Sequence, residues 1–237
     1  MRILAIDTTG IVASAAVVED GRTIAEFTTN YKKNHSITIM PMIKNVLEIS
    51  DMSVSDADYI ACASGPGSFT GLRIGAATAK GLAFGVNKLI IPVPTLDSMA
   101  YNIFKCSDII VPIMDAKRNQ AYTAFYSWEG IEMKRLSEYG ALSIDEITER
   151  LKEYGRKAVF LGDGVAVYKN DIEKSGIDFC ISPPHLSAQR AAAVGALAID
   201  LAKSGAALPP EDFVPFYLRK SQAEREYDEK NSNKETL

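Results

Sequence analysis

The chain has 237 residues, 47% of them apolar and 24% charged, with a formal net charge of −4. That suffices for a substantial core in one large domain or two small ones, and it argues against a broad nucleic-acid-binding surface. Cys62, Cys106 and Cys180 stand far apart without a C-x-x-C pair, which argues against a disulfide framework or zinc knuckle and fits a reducing cytoplasm.

An apolar strand at 2–6 opens the chain, and Asp7 follows too soon for a signal-peptide core. Asp7-Thr8-Thr9-Gly10 ends it. Strands at 11–18 and 23–29 complete an antiparallel meander. Asn34-His35-Ser36 is an N-cap cluster, with Pro41 early in the helix that it starts. From 36 to 49, Ile37, Ile39, Met40, Met42, Ile43, Val46, Leu47 and Ile49 fill about half of a helical wheel, wider than the roughly 100° stripe that covers one core. One face packs on the sheet. The other wants a second partner, inside its own domain or outside it.

A buried strand at 59–63 leads into Gly65-Pro66-Gly67-Ser68-Phe69-Thr70-Gly71-Leu72-Arg73-Ile74-Gly75, and a helix follows over 72–85. Strand, glycine turn and helix is a common phosphate-holding junction, because free N–H groups and the helix dipole point outward there. Here Thr70 stands where a Walker A loop or a dinucleotide fingerprint has glycine, no lysine follows, and Pro66 removes an N–H. A tight turn with Ser68 or Thr70 capping the helix is the favoured reading. That helix is rich in glycine and alanine, so tertiary contacts must hold it, and its small surface admits a second helix.

A buried strand at 89–94 and a helix from Thr95 towards Phe104 follow. Then the opening repeats: Ile110-Val111-Pro112-Ile113-Met114-Asp115 parallels Ile3-Leu4-Ala5-Ile6-Asp7, with strands at 121–126 and 131–137 after it. A helix at 143–154, a strand at 158–161 and a Gly162-Asp163-Gly164 turn complete the second pass. The pattern suggests a duplicated α/β domain. Residues 187–203 read as an alanine-rich helix returning to the first half, too short to span a bilayer. Pro209-Pro210 ends it, and an aromatic extension at 213–219 precedes a charged tail at 220–237, expected to be disordered.

The chemistry that these residues support is thin. Asp7 and Thr8 stand where actin-type ATPases hold metal and phosphate and where ribonuclease-H-like nucleases place a metal ligand, but a structural cap of the strand end serves as well. Asp97, Asp115 and Asp163 are the other carboxylates to consider. His35 has Ile39, not a second histidine, four residues on, so a zinc pair is absent. No G-x-S-x-G occurs, and Lys117-Arg118 reads as a solvated edge.

Asp7-Thr8-Thr9, His35-Ser36, the glycine turn from Gly65 to Gly75, Met114-Asp115-Ala116-Lys117-Arg118 and Tyr217-Leu218-Arg219 together resemble the TsaB (YeaZ) family of bacterial tRNA threonylcarbamoyladenosine biosynthesis proteins. The resemblance runs from Met1 to about Arg219. It implies an actin-like fold of the sugar kinase, Hsp70 and actin superfamily, with two duplicated ribonuclease-H-like lobes at 1–100 plus 187–219 and at 101–186. It also implies a non-catalytic subunit that pairs with the TsaD transferase through its first two helices. An ATPase, TsaE, joins the pair, and the complex acts on the adenosine beside the anticodon of ANN-reading tRNAs. The implied interface uses Ile39, Met42, Ile43, Val46, Arg73, Ala76, Ala77 and Lys80, and would permit a homodimer when TsaD is absent. Asp7, Thr8 and Thr9 are the weak nucleotide candidates. No intrinsic cofactor is expected, with ATP or ADP admitted only at the interface with the ATPase partner. tRNA would be met indirectly through the complex, in the cytoplasm and away from membrane. The alternative is an enzyme in its own right, an actin-type ATPase or an M22-type metalloprotease.

Overall fold

The computed structural model describes residues 1–31 and 34–219, so the charged tail expected at 220–237 lies outside the described residues. In the first sheet, β1 (Arg2–Asp7), β2 (Ala13–Glu19) and β3 (Arg22–Thr29) form the expected meander. Strands β4 (Tyr59–Gly65) and β5 (Leu89–Pro94) add in parallel on the far side of β1, giving the order β3-β2-β1-β4-β5. The second sheet repeats this plan with β6 (Ile109–Asp115), β7 (Ala121–Thr123), β10 (Gly140–Leu142), β11 (Ala158–Leu161) and β12 (Phe179–Ile181) in the order β10-β7-β6-β11-β12. Pairing is antiparallel on the β7 side of β6 and parallel on the β11 side, as around β1. The chain is therefore α/β, with two duplicated ribonuclease-H-like lobes of the actin-like class.

The second lobe breaks one strand that the sequence shows as continuous, at 121–126. β8 (Tyr126–Glu129) pairs Tyr126 with Ile110 in the register that sets Thr123 opposite Ile113, so β7 and β8 form one line along β6. The interruption is at Ala124-Phe125, where Phe125 N–H donates to Ser137 Oγ and Phe125 C=O accepts from Leu136 N–H. The strand expected at 131–137 is β9 (Glu132–Arg135), paired with β8, and its line resumes two residues out of register as β10.

Helices α1 (His35–Ile49) and α2 (Phe69–Val86) cover one face of the first sheet. In the second lobe α4 (Ile144–Tyr154) and α5 (Gly164–Lys174) do the same, α5 beginning where sequence reading stopped at a turn. The remaining helices exchange places. Leu96, Met99 and Ala100 of α3 (Thr95–Tyr101), which follows the first sheet, pack on Ile110, Met114 and Tyr126 of the second. Ala191, Val194 and Ala198 of α7 (Ala191–Lys203), which follows the second sheet, pack on Ile3, Ala5 and Val93 of the first. No described helix is long and apolar enough to cross a membrane.

Two helix boundaries differ from the expected ones. α3 ends at Tyr101 and not near Phe104. The helix expected over 187–203 divides into a single turn, α6 (Pro184–Ser187), and α7. Ser187 Oγ accepts Gly162 N–H at 3.0 Å, and the backbone is extended at Arg190 (φ −140°, ψ 128°). α7 lacks a cap of its own. Ser14 Oγ on β2 accepts Ala191 N–H at 2.9 Å, and Glu26 Oε1 on β3 accepts Ala192 N–H at 3.0 Å while its other oxygen pairs with Arg190. The helix end thus has acceptors for its free N–H groups, supplied by strands of the sheet on which it packs.

Candidate functional site

The glycine turn packs against the end of β1. Ser68 caps α2 by accepting Gly71 N–H, and its own N–H donates to Thr9 C=O at 2.7 Å. Gly65 N–H goes to Thr95 Oγ1, and Gly71 C=O accepts the Thr8 hydroxyl at 2.7 Å. A Cβ on Gly71 would stand 2.0 Å from Thr8 O, and one on Gly67 would stand 2.4 Å from Thr9 O. The glycines bring the turn's backbone against Thr8 and Thr9, and several polar groups of a would-be phosphate cradle are engaged by protein atoms.

Asp7 and Thr8 lie beneath this junction, buried. Asp7 Oδ1 accepts both the N–H and the hydroxyl of Thr9, whereas Oδ2 is buried without a partner among the described residues. Burial pushes the Asp7 carboxyl up to about 6, against the pull of the Thr9 hydrogen bonds. The Cys62 thiol is likewise pushed up, by burial and then by Asp7. His35 does not reach outward: its Nε2 lies 2.9 Å from Gly10 O. Among the described residues no group of three or more His, Cys, Asp or Glu side chains is placed to hold a metal ion.

Between the lobes lies a cleft of about 560 Å³, lined by Thr9 and Gly10, the turn from Gly67 to Phe69, Asp115 to Lys117, Asp163, and Phe216 to Arg219. Of the carboxylates singled out in the sequence, Asp115 and Asp163 meet here and Asp7 does not. Asp97 instead accepts the hydroxyls of Tyr126 and Tyr139, at 2.7 and 2.8 Å. Asp163 Oδ1 accepts Asp115 N–H, and burial raises its pKa. Burial acts the same way on Asp115, but the N–H and ammonium of Lys117 outweigh it and hold this carboxyl below its usual range.

The chain's own C-terminal extension runs through the cleft. Phe213 anchors it in the first lobe's core. Phe216 N–H donates to Ser64 C=O at the end of β4, and a Cβ on Gly65 (φ 120°) would meet Phe216 O at 2.3 Å. Tyr217 stacks on Phe69, Phe216 packs beside Tyr139, and Arg219 donates to Ala116 C=O at 3.3 Å. The sequence marked this segment as aromatic and its Tyr217-Leu218-Arg219 as part of the family resemblance. Its approach to Gly65 was not legible there.

The residues of the expected partner interface separate into two groups. Ile39, Met42, Ile43, Val46 and Ala76 are buried in the first lobe's own core, against Leu4, Ile6 and Val17. Their spacing, i, i+3, i+4 and i+7, is the stripe that a helix turns to its sheet, so that part of the expected surface is corrected. Arg73 and Ala77 are exposed, and Lys80 is half-buried with its ammonium 3.2 Å from Glu211 O. The apolar side chains left on the outer faces are Ile37, Met40 and Ile49 of α1 and Phe84 of α2, between 48% and 75% exposed.

Residues 22–227 match the TsaD family, described as tRNA N6-adenosine threonylcarbamoyltransferase. Among curated proteins, the chain is similar to the tRNA threonylcarbamoyladenosine biosynthesis protein TsaB of Bacillus subtilis, with 35% identity over 96% of this chain and 98% of that one. It is 32% identical to TsaB of Escherichia coli over 75% of this chain and 78% of that one. Among solved structures, YeaZ from Pseudomonas aeruginosa superposes with a TM-score of 0.79 at 23% identity, covering 92% of this chain and 99% of that one.

Proposed function

The chain belongs to the TsaB family of tRNA threonylcarbamoyladenosine biosynthesis proteins, and from that premise we propose that it is a non-catalytic subunit of the complex that forms this modification. In this reading it pairs with a TsaD-type transferase, a TsaE-type ATPase joins the pair, and the chain alone forms a homodimer through the same surface. It carries no cofactor of its own, works in the cytoplasm, and divides into lobes at 1–100 plus 187–219 and at 101–186.

The observation that carries the proposal is the outer surface of the two leading helices. Met40 of α1 is 48% exposed, Phe84 of α2 is 59% exposed, and Ala77 of α2 is small and exposed. Apolar and small side chains on neighbouring helices suit the packing of a second helix pair. In this reading the inter-lobe cleft, where an actin-type ATPase would hold its nucleotide, has the chain's own extension as one wall.

Replacing Ala77 with arginine puts charge on the outer face while leaving the core untouched. Co-purification with the TsaD-type partner should fall at least tenfold for Ala77→Arg and for Met40→Asp, with melting temperatures close to wild type. Normal co-purification of both variants would place the interface elsewhere.

A further inference from the structure

Arg135, Tyr139 and Phe216 form one stack and Tyr217, Phe69 and Arg73 a second, and the 216–217 backbone joins them into a ladder at the edge of the cleft. The Arg135 guanidinium lies 4.1 Å from the Tyr139 ring centroid, and Tyr139 lies 5.7 Å from Phe216. The next residue, Tyr217, lies 4.6 Å from Phe69, whose other neighbour is the Arg73 guanidinium at 4.1 Å. Two arginines thus bracket four rings, from the second lobe to the first. Phe216 and both arginines are exposed, and the other three rings are half-buried, so the ladder is open to solvent.

Beside it stands the turn between β6 and β7. Lys117, Arg118 and Asn119 take φ of 61°, 56° and 56°, a left-handed run that L-residues avoid. It is closed by Ala116 N–H to Gln120 C=O and Gln120 N–H to Lys117 C=O. Asp115 holds the Lys117 ammonium, which leaves Arg118 as the exposed cation at the tip. Arg219 is tied to this turn through Ala116 C=O. Among the described residues none of Arg73, Arg118, Arg135 and Arg219 forms an ion pair, and the nearby carboxylates of Asp97, Asp115 and Asp163 accept protein hydrogen bonds. In a chain of net charge −4, these are four guanidinium groups outside any ion pair among the described residues, with Asp97 attracting Arg135 from a distance.

We infer that this ladder and turn form a contact surface for unpaired RNA, the tRNA of the function proposed above, on which the inference rests. Guanidinium groups at Arg118 and Arg219 would meet phosphates, and the aromatic faces would stack bases; this combination suits single strands and loops. The surface spans both lobes, so bound RNA would also bridge them.

The test is fluorescence anisotropy of an in vitro transcribed, labelled tRNA with the full-length chain, titrated at several salt concentrations. The double variant R118A/R219A should bind about tenfold more weakly at low salt, with its log K against log salt slope shallower by about 0.7 per lost phosphate contact. Tyr217→Ala should weaken binding without changing that slope, because stacking releases no counterions. Arg118→Lys in the Arg219 background should keep the wild-type slope. Melting temperatures report whether each variant is folded. Wild-type affinity and slope in both the arginine and the tyrosine variants overturn the inference and leave the ladder as a weld between the lobes; so does failure of the wild-type chain to bind tRNA. If tRNA modification by the assembled proteins still requires the chain in that case, the proposed function stands while this inference falls.

Discussion

Gly71 has no room for a side chain, whereas a Cβ on Gly81 would stand in open space beyond its own helix backbone. Both are helical, so the two alanine substitutions separate steric cost from helix propensity. Gly71→Ala forces the turn off Thr8 and should destabilise by about 3 kcal/mol or more. Gly81→Ala should stabilise by about 0.5–1 kcal/mol through reduced backbone freedom. Urea midpoints read both, and equal effects would refute the close-approach argument. Asp7 gives a second outcome at this scale. Its folded pKa, about 6, lies above its unfolded value, so between about pH 4 and 6 the folded chain holds more protons than the unfolded one. Stability is therefore lost as pH rises through that window, by up to about 3 kcal/mol at pH 7. Asp7→Asn should lack this loss, and the stability difference between variant and wild type should move in the variant's favour from pH 4 to 7. The same difference at both pH values would contradict it. The glycine turn was legible as a motif because its spacing is distinctive. Its purpose was not, because the atoms that it approaches, in Thr8, Thr9 and Phe216, are distant in sequence.

On α1 the apolar residues fall into two stripes with opposite fates. Met42 is 3% exposed and Met40 is 48% exposed. Met42→Asp buries an unpaired carboxylate and should destabilise by several kcal/mol, whereas Met40→Asp should stay within about 0.5 kcal/mol of wild type. Thermal unfolding distinguishes them, and a folded, stable Met42→Asp protein would mean that the stripes are reversed. The width of the apolar arc was correct as read; which stripe met the sheet was not decided by periodicity, since both repeat at helical spacing. Helix α7 shows a different limit. Its start at Ala191 depends on Ser14 and Glu26, acceptors more than 160 residues away in sequence that a reading of local caps cannot find. The break between β7 and β8 is similar, since Ser137 and Leu136 supply the partners for Phe125.

At the scale of the molecule, the repeat of strand and aspartate at Asp7 and Asp115 was enough to suggest the duplication, because strand order follows once the meander and the parallel additions are paired. The return of α7 to the first sheet was legible in its alanine-rich run, but the packing of α3 on the second sheet left no such trace, and neither did the path of the extension along the cleft. That path sets Arg219 beside Asp115 and Asp163 in the cleft and ties the extension to the second lobe through Ala116 C=O. The proposed role, a subunit whose outer helices meet a partner, is the claim to test at this scale. The most direct measurement is reconstitution of N6-threonylcarbamoyl transfer to an ANN-reading tRNA from purified partner proteins, with and without this chain. Modification should fall to background when the chain is omitted, return with the wild-type chain, and fail to return with Ala77→Arg. Undiminished modification in its absence would contradict the role proposed for it.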